Sequence, residues 1–176
     1  MKLLFVTPPM GNWAPWGDRH LAVNSLHSQV AAFIREKEAA DVAVLDCRAL
    51  GLDDNEMMDE VGRRRPDIVF FGSVIPAAGG AAQLNRFHAA MKRIKESYPR
   101  TVTVGGGLMY TAIPQQIMKD NPQLDFAIVG VFGDNEYTLW ELLGELDRPA
   151  PNFDRIKGLT YRRGDEIILT PARPLI

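Results

Sequence analysis

The chain has 176 residues, 46% apolar and 24% charged, the balance of one soluble globular domain, alone or with a short appendage. A net charge of −2 gives no electrostatic reason for a nucleic-acid or anionic-membrane partner. The single cysteine, Cys47, excludes a disulfide framework and any multi-thiolate metal or iron–sulfur site built within this chain.

The opening MKLLFVTPP has an apolar run too short for a signal sequence, and nothing approaches the roughly 18 apolar residues of a membrane span. The expected location is the cytoplasm. Five short apolar runs bounded by turn residues predict strands at Lys2–Thr7, Asp41–Asp46, Asp67–Gly72, Thr101–Gly105 and Asp125–Val129. Leu3-Leu4-Phe5-Val6 and Ile68-Val69-Phe70-Phe71 are apolar on both faces, as central strands covered by helices must be. Between the runs lie helical stripes: Leu26, Val30, Phe33 and Lys37; Leu84, Phe87, Met91, Ile94 and Tyr98; Leu139, Leu142, Leu143 and Leu146. Asp53, Asp54 and Asn55 are N-cap candidates for a further helix ending near Gly62.

Strict alternation of strand and helix predicts an α/β fold, a doubly wound five-stranded parallel sheet of flavodoxin-like or Rossmann-like order, over residues 1–148. From Pro149 the pattern changes. Ile156–Arg163 and Glu166–Thr170 flank Gly164-Asp165 and read as a C-terminal β-hairpin appendage, and Pro171-Ala172-Arg173-Pro174 reads as a linker, so 149–176 form a second, small unit.

Three loops follow strands and should share the carboxyl edge of the sheet, where such folds bind ligands. The first, Thr7 to Gly17, is proline-rich and carries Trp13 and Trp16, which cover either a neighbouring helix or a ligand or partner. The second, Gly72 to Ala82, is made almost wholly of small residues. The third is the run Thr101-Val102-Thr103-Val104-Gly105-Gly106-Gly107, where a β-branched strand enters three glycines. Bare backbone admits close approach by a large flat molecule. Stripped loops at one edge point to a broad, shallow, largely neutral ligand.

Other chemistries lack their residues. No GxxxxGK[ST] phosphate loop exists, no GxGxxG follows the first strand, and no GxSxG elbow is present. His27 and His88 fall within helical patterns and read as solvent-facing or core-edge. His20 follows Asp18 by two residues just before the first helix, where a carboxylate can fix the imidazole tautomer while the other nitrogen meets a metal.

Val104-Gly105-Gly106-Gly107-Leu108-Met109-Tyr110-Thr111-Ala112-Ile113-Pro114 resembles the V-G-G-x-x-x-T-x-x-P stretch of cobalamin-binding N-terminal domains in radical S-adenosylmethionine (SAM) enzymes. That group includes anaerobic magnesium-protoporphyrin monomethyl ester cyclases and related methyltransferases. Asp125 through Gly133-Asp134-Asn135-Glu136-Tyr137-Thr138 is similar to their D-(several)-G-E-G-E-x-T signature. Ile156-Lys157-Gly158-Leu159-Thr160-Tyr161-Arg162 resembles their I-x-G-(L/I)-x-(Y/W)-R hairpin, and Thr7-Pro8-Pro9 their opening loop. The likeness spans nearly the whole chain. Three departures stand out: the CxxxCxxC motif for a [4Fe–4S] cluster is absent, the acidic signature is altered to Gly133-Asp134-Asn135-Glu136 with extra residues before it, and Asp18-Arg19-His20-Leu21-Ala22-Val23 has Val23 where the cobalt-ligating Asp-x-His-x-x-Gly motif of related modules has glycine.

The resemblance implies cobalamin as cofactor. Gly72, Ser73, Val74, Gly105, Gly106 and Gly107 would line the groove for its nucleotide tail, Thr7, Pro8 and Trp13 would lie near the corrin face, and Gly133 and Glu136 would belong to the same site. His20 is the possible cobalt ligand, although radical enzymes of this group commonly lack one. The cluster and SAM would belong to a downstream radical domain, as partner, so this chain alone would bind and not turn over. The rival reading is a flavodoxin-like regulatory or interaction module with a degenerate pocket, docking a partner through Trp13 and Trp16. A flavin reading lacks a Ser/Thr-rich phosphate cradle in the first loop.

Overall fold

The computed structural model describes residues 1–9, 24–73, 80–130 and 133–174. In chain order the elements are β1 (Lys2–Thr7), α1 (Ser25–Glu36), β2 (Asp41–Asp46), α2 (Cys47–Leu50), α3 (Asp54–Arg64), β3 (Ile68–Ser73), α4 (Gly80–Ser97) and β4 (Val102–Gly107). They continue with α5 (Leu108–Ala112), α6 (Pro114–Asp120), β5 (Phe126–Ile128), α7 (Asp134–Leu146), a 3-10 turn (Phe153–Arg155), β6 (Leu159–Arg163) and β7 (Glu166–Leu169).

The first five strands are parallel in the order β2-β1-β3-β4-β5, the doubly wound arrangement that strand–helix alternation predicts. The hairpin continues this sheet. β6 pairs antiparallel with β5 and β7 with β6, making seven strands in one sheet. A three-residue β5 would otherwise leave its outer edge unpaired. Phe153 stacks on both Phe126 and Tyr161, at 5.0 and 5.4 Å between ring centroids, and locks the join. The tail also packs: Gly158 N–H donates to Pro171 O, and the Arg173 guanidinium pairs with Glu141 on α7 at 2.7 Å.

Alternate residues of each strand supply two cores. Leu3, Phe5, Phe70 and Val104 face α1 and α7, meeting Val30, Ile34, Leu139, Leu142 and Leu143. Leu4, Val6, Val69 and Phe71 face the opposite layer, meeting Met57, Val61, Phe87, Met91, Ile94 and Tyr110. The phase of α1 differs from its expected stripe. Leu26, His27, Val30, Ala31 and Ile34 are buried, whereas Lys37 is exposed and holds its ammonium 5.3 Å from the Phe33 ring. A histidine counted as polar hides one member of the buried face.

The cap expected for α3 is present. Asp53 accepts from Asn55 N–H at 2.7 Å and Glu56 N–H at 2.9 Å, and the Glu56 carboxylate accepts from Asp53 N–H at 2.8 Å. Asp53→Ala should therefore lower unfolding free energy by about 1 kcal/mol, read from the urea midpoint with an unchanged slope.

Candidate functional site

Parallel strands bring the ends of β1, β3 and β4 to one edge. Gly72 pairs with Gly106 and Ser73 with Gly107, so residues far apart in sequence become neighbours. Thr7 ends β1 at the same edge, followed by Pro8. The first turn of α7, with Gly133 and Glu136, returns to this edge through Asn135. Trp13, Trp16, Asp18, His20 and Val74 lie outside the described residues.

Side-chain amides and one hydroxyl tie these strand ends to the helices. The buried Asn135 accepts from Gly107 N–H at 3.0 Å and donates to Gly130 O at 3.3 Å. Thr111 Oγ1 accepts from Gly130 N–H at 3.0 Å and lies 3.0 and 2.9 Å from the carbonyls of Gly107 and Gly130. On the other side Asn24 caps α1, accepting from His27 N–H, while its Nδ2 donates to Gly72 O at 2.8 Å. Neither Asn24 nor Asn135 stands out in the sequence as a site residue. Asn24 stands where an N-cap belongs, just before the α1 stripe. Asn135 departs from the acidic signature, and only its two backbone partners explain it.

The glycines serve the protein's own packing as well as the edge. A Cβ on Gly105 would lie 2.5 Å from Tyr110 Cζ, and one on Gly106 would lie 2.5 Å from Phe70 Cζ and 2.6 Å from Asn135 Oδ1. Two of the three bare residues thus make room for internal rings and for the Asn135 clasp. Gly107 is required by its backbone, at φ 89°. Gly133, at φ 86°, is different: a Cβ there would meet nothing within 4 Å.

Asp46, at the end of β2, accepts from Arg48 and Ala49 backbone N–H groups and pairs with the Arg48 guanidinium at 3.1 Å. The Cys47 thiol is pushed up to about 12, first by burial and then by the neighbouring Asp46 carboxylate, and is no nucleophile at neutral pH. Burial likewise raises the Tyr110 phenol. Two polar atoms from the helix starts that reach this edge, His27 Nε2 and Glu136 Oε2, are buried without a hydrogen-bond partner among the described residues. Among the described residues no group of three or more His, Cys, Asp or Glu is placed to hold a metal ion, and no helix is long and apolar enough to cross a membrane. Polar atoms at this edge with no partner among the described residues leave hydrogen-bonding capacity for a ligand.

His27 overturns the expectation of a solvent-facing or core-edge position: it is fully buried, with its ring against Phe5 and Phe70. His88 sits at the edge of its core, 5.8 Å from Tyr110 between ring centroids. Burial holds His27 down to about 3, against the upward pull of Asp46, and His88 down to about 4. Both rings lie below their ordinary 6.5, so the unfolded chain binds more protons than the folded one as pH falls below that value. Stability is complete above the unfolded value and declines towards the folded ones. Urea midpoints should fall between about pH 6.5 and about pH 5, by up to about 1.4 kcal/mol per pH unit from His27 alone. The decline should be shallower in His27→Leu.

A family model described as the B12 binding domain matches residues 26–143. The anaerobic magnesium-protoporphyrin IX monomethyl ester cyclase of Rubrivivax gelatinosus is 27% identical over 187 residues, covering 100% of this chain and 30% of the relative. The protein of the same name from Synechocystis is 28% identical over 138 residues, 77% of this chain and 26% of the relative. The chain thus spans under a third of the length of these curated relatives. Among solved structures, the cobalamin-dependent radical SAM enzyme OxsB with aqua-cobalamin and SAM bound superposes with a TM-score of 0.72 at 16% identity, over 99% of this chain and 22% of that one. The radical SAM methyltransferase TsrM from Kitasatospora setae, with cobalamin and a [4Fe–4S] cluster bound, gives a TM-score of 0.69 at 19% identity, over 99% and 29%. At those identities the structures speak for the fold.

Proposed function

This chain belongs to the B12-binding domain family, and we propose that it holds a corrinoid at the carboxyl edge of its sheet as one domain of a cobalamin-dependent radical SAM enzyme. The observation that supports this most is the register that sets Gly72 beside Gly106 and Ser73 beside Gly107, with α1 and α7 clasped to the strand ends by Asn24 and Asn135. The backbone at Gly72, Ser73, Gly105, Gly106 and Gly107 would take the nucleotide tail, with Val74, Gly133 and Glu136 beside it, and Thr7, Pro8 and Trp13 would lie towards the corrin face. His20 is proposed as the imidazole available to cobalt.

When bound, cobalamin supplies methyl-transfer or radical chemistry at cobalt. This chain's own residues orient and exclude. Asn24, Thr111 and Asn135 fix the strand ends, and Phe70 and Tyr110 fill the sheet behind them. In the full-length protein, residues 149–176 would lead towards a radical domain carrying the [4Fe–4S] cluster and SAM. The relatives favour an oxidative cyclase or a methyltransferase as the whole protein's activity.

Incubation with hydroxocobalamin followed by gel filtration tests the reading. The corrin absorbance should co-elute with the chain at close to one equivalent, and complete separation of protein from corrin would refute it.

A further inference from the structure

One imidazole in the first turn of α1 has half of its hydrogen-bonding capacity unused among the described residues. His27 is fully buried between Phe5 and Phe70, at 5.4 and 5.8 Å between ring centroids. Its Nδ1 lies 3.3 Å from Oγ1 of Thr7, the last residue of β1, and its Nε2 has no partner among the described residues. Asn24 ties the same turn to Gly72 O, so the ring is held between the carboxyl ends of β1 and β3. A leucine at this helical position would pack against the two phenylalanines without stranding Nε2, although the buried Thr7 hydroxyl would lose its imidazole contact. Packing alone therefore does not account for a histidine here.

Building on the corrinoid reading above, we infer that His27 Nε2 is a ligand-binding atom that hydrogen-bonds an uncharged carboxamide on the corrinoid's periphery. The ring is neutral at physiological pH, because burial outweighs the pull of Asp46 and Arg48 adds to the effect of burial. A neutral imidazole is a poor partner for the tail's phosphate, which favours charged donors. The Thr7 hydroxyl can donate to Nδ1 or accept from it, which leaves Nε2 to donate in the first case and to accept in the second. A primary carboxamide offers both complements, and the corrin ring carries several.

The test compares the native chain with His27→Leu and His27→Gln, titrated with hydroxocobalamin and with dicyanocobinamide, which keeps the ring carboxamides and lacks the nucleotide tail. His27→Leu should bind both corrinoids about tenfold more weakly, and His27→Gln, whose amide reaches the position of Nε2, should recover most of the loss. In the native chain the ¹⁵N resonance of His27 Nε2 should move on adding either corrinoid, a readout that needs no variant to fold. Equal binding by native and Leu chains with an unmoved Nε2 resonance would overturn the inference and leave the corrinoid reading intact. A loss confined to hydroxocobalamin would transfer the contact to the tail and overturn the carboxamide assignment. A native chain that binds neither corrinoid would overturn the underlying reading and this inference together.

Discussion

Gly105→Ala should cost the fold about 3 kcal/mol, at the upper end of overpacking penalties, because the new methyl has nowhere to go. It would lie 2.5 Å from Cζ of Tyr110, a ring with 0% exposure. Tyr110 in turn packs among Phe71, Phe87 and Met91 in the core beneath α4 and α5, so no flexible tip can yield. Gly105→Ala/Tyr110→Leu should recover much of the loss, since the smaller side chain vacates the ring's position and removes an unpartnered buried hydroxyl. Gly144→Ala is the matched control. Gly144 lies within α7, and a methyl group there would meet nothing within 4 Å, so alanine should stabilise the chain by about 0.5–1 kcal/mol. Urea midpoints on the four chains decide the matter, and an unchanged midpoint in Gly105→Ala would show that Tyr110 does not occupy that space.

Asn135→Ala should have the second largest effect, on stability and on ligand retention together. Asn135 is 1% exposed, and its removal leaves the Gly107 N–H and the Gly130 carbonyl short of a partner each. A buried donor left unmade costs about 1–3 kcal/mol, while the Gly130 carbonyl keeps Thr111 Oγ1 at 2.9 Å. β4 and the start of α7 would then no longer be joined at the strand end. Asn135→Asp separates the two contacts: the carboxylate still accepts from Gly107 N–H but cannot donate to Gly130 O, and it adds a buried charge. Both variants should lower the urea midpoint and weaken hydroxocobalamin retention. Wild-type retention by an Asn135→Ala chain that remains folded would detach this clasp from the proposed site.

The parallel sheet is legible in the sequence because its strands are apolar runs cut by turn residues, and the unbroken run Leu3 to Val6 already implies the two buried faces that β1 presents. The hairpin is legible as a hairpin, but its continuation of the sheet is not. That depends on β5 being only three residues long with a free edge, and on Phe153 being placed to stack on Phe126 and Tyr161. The short helices α2 and α5 carry too few residues to show a period. The triple glycine is legible as exceptional, yet part of its cause lies in partners remote in sequence: Phe70 and Asn135 press on Gly106, while Tyr110 presses on Gly105. His27 is unreadable for a related reason. Nothing local distinguishes a histidine on a helix surface from one fixed between two phenylalanines and the threonine that ends a strand.

Hydrogen–deuterium exchange of the chain with and without hydroxocobalamin tests most directly whether the ligand lies at the carboxyl edge. Protection should gather at Thr7, Gly72–Ser73, Gly105–Gly107 and the first turn of α7, with exchange along β6 and β7 unchanged. Protection centred on that hairpin, or on the opposite ends of the strands, would contradict the account.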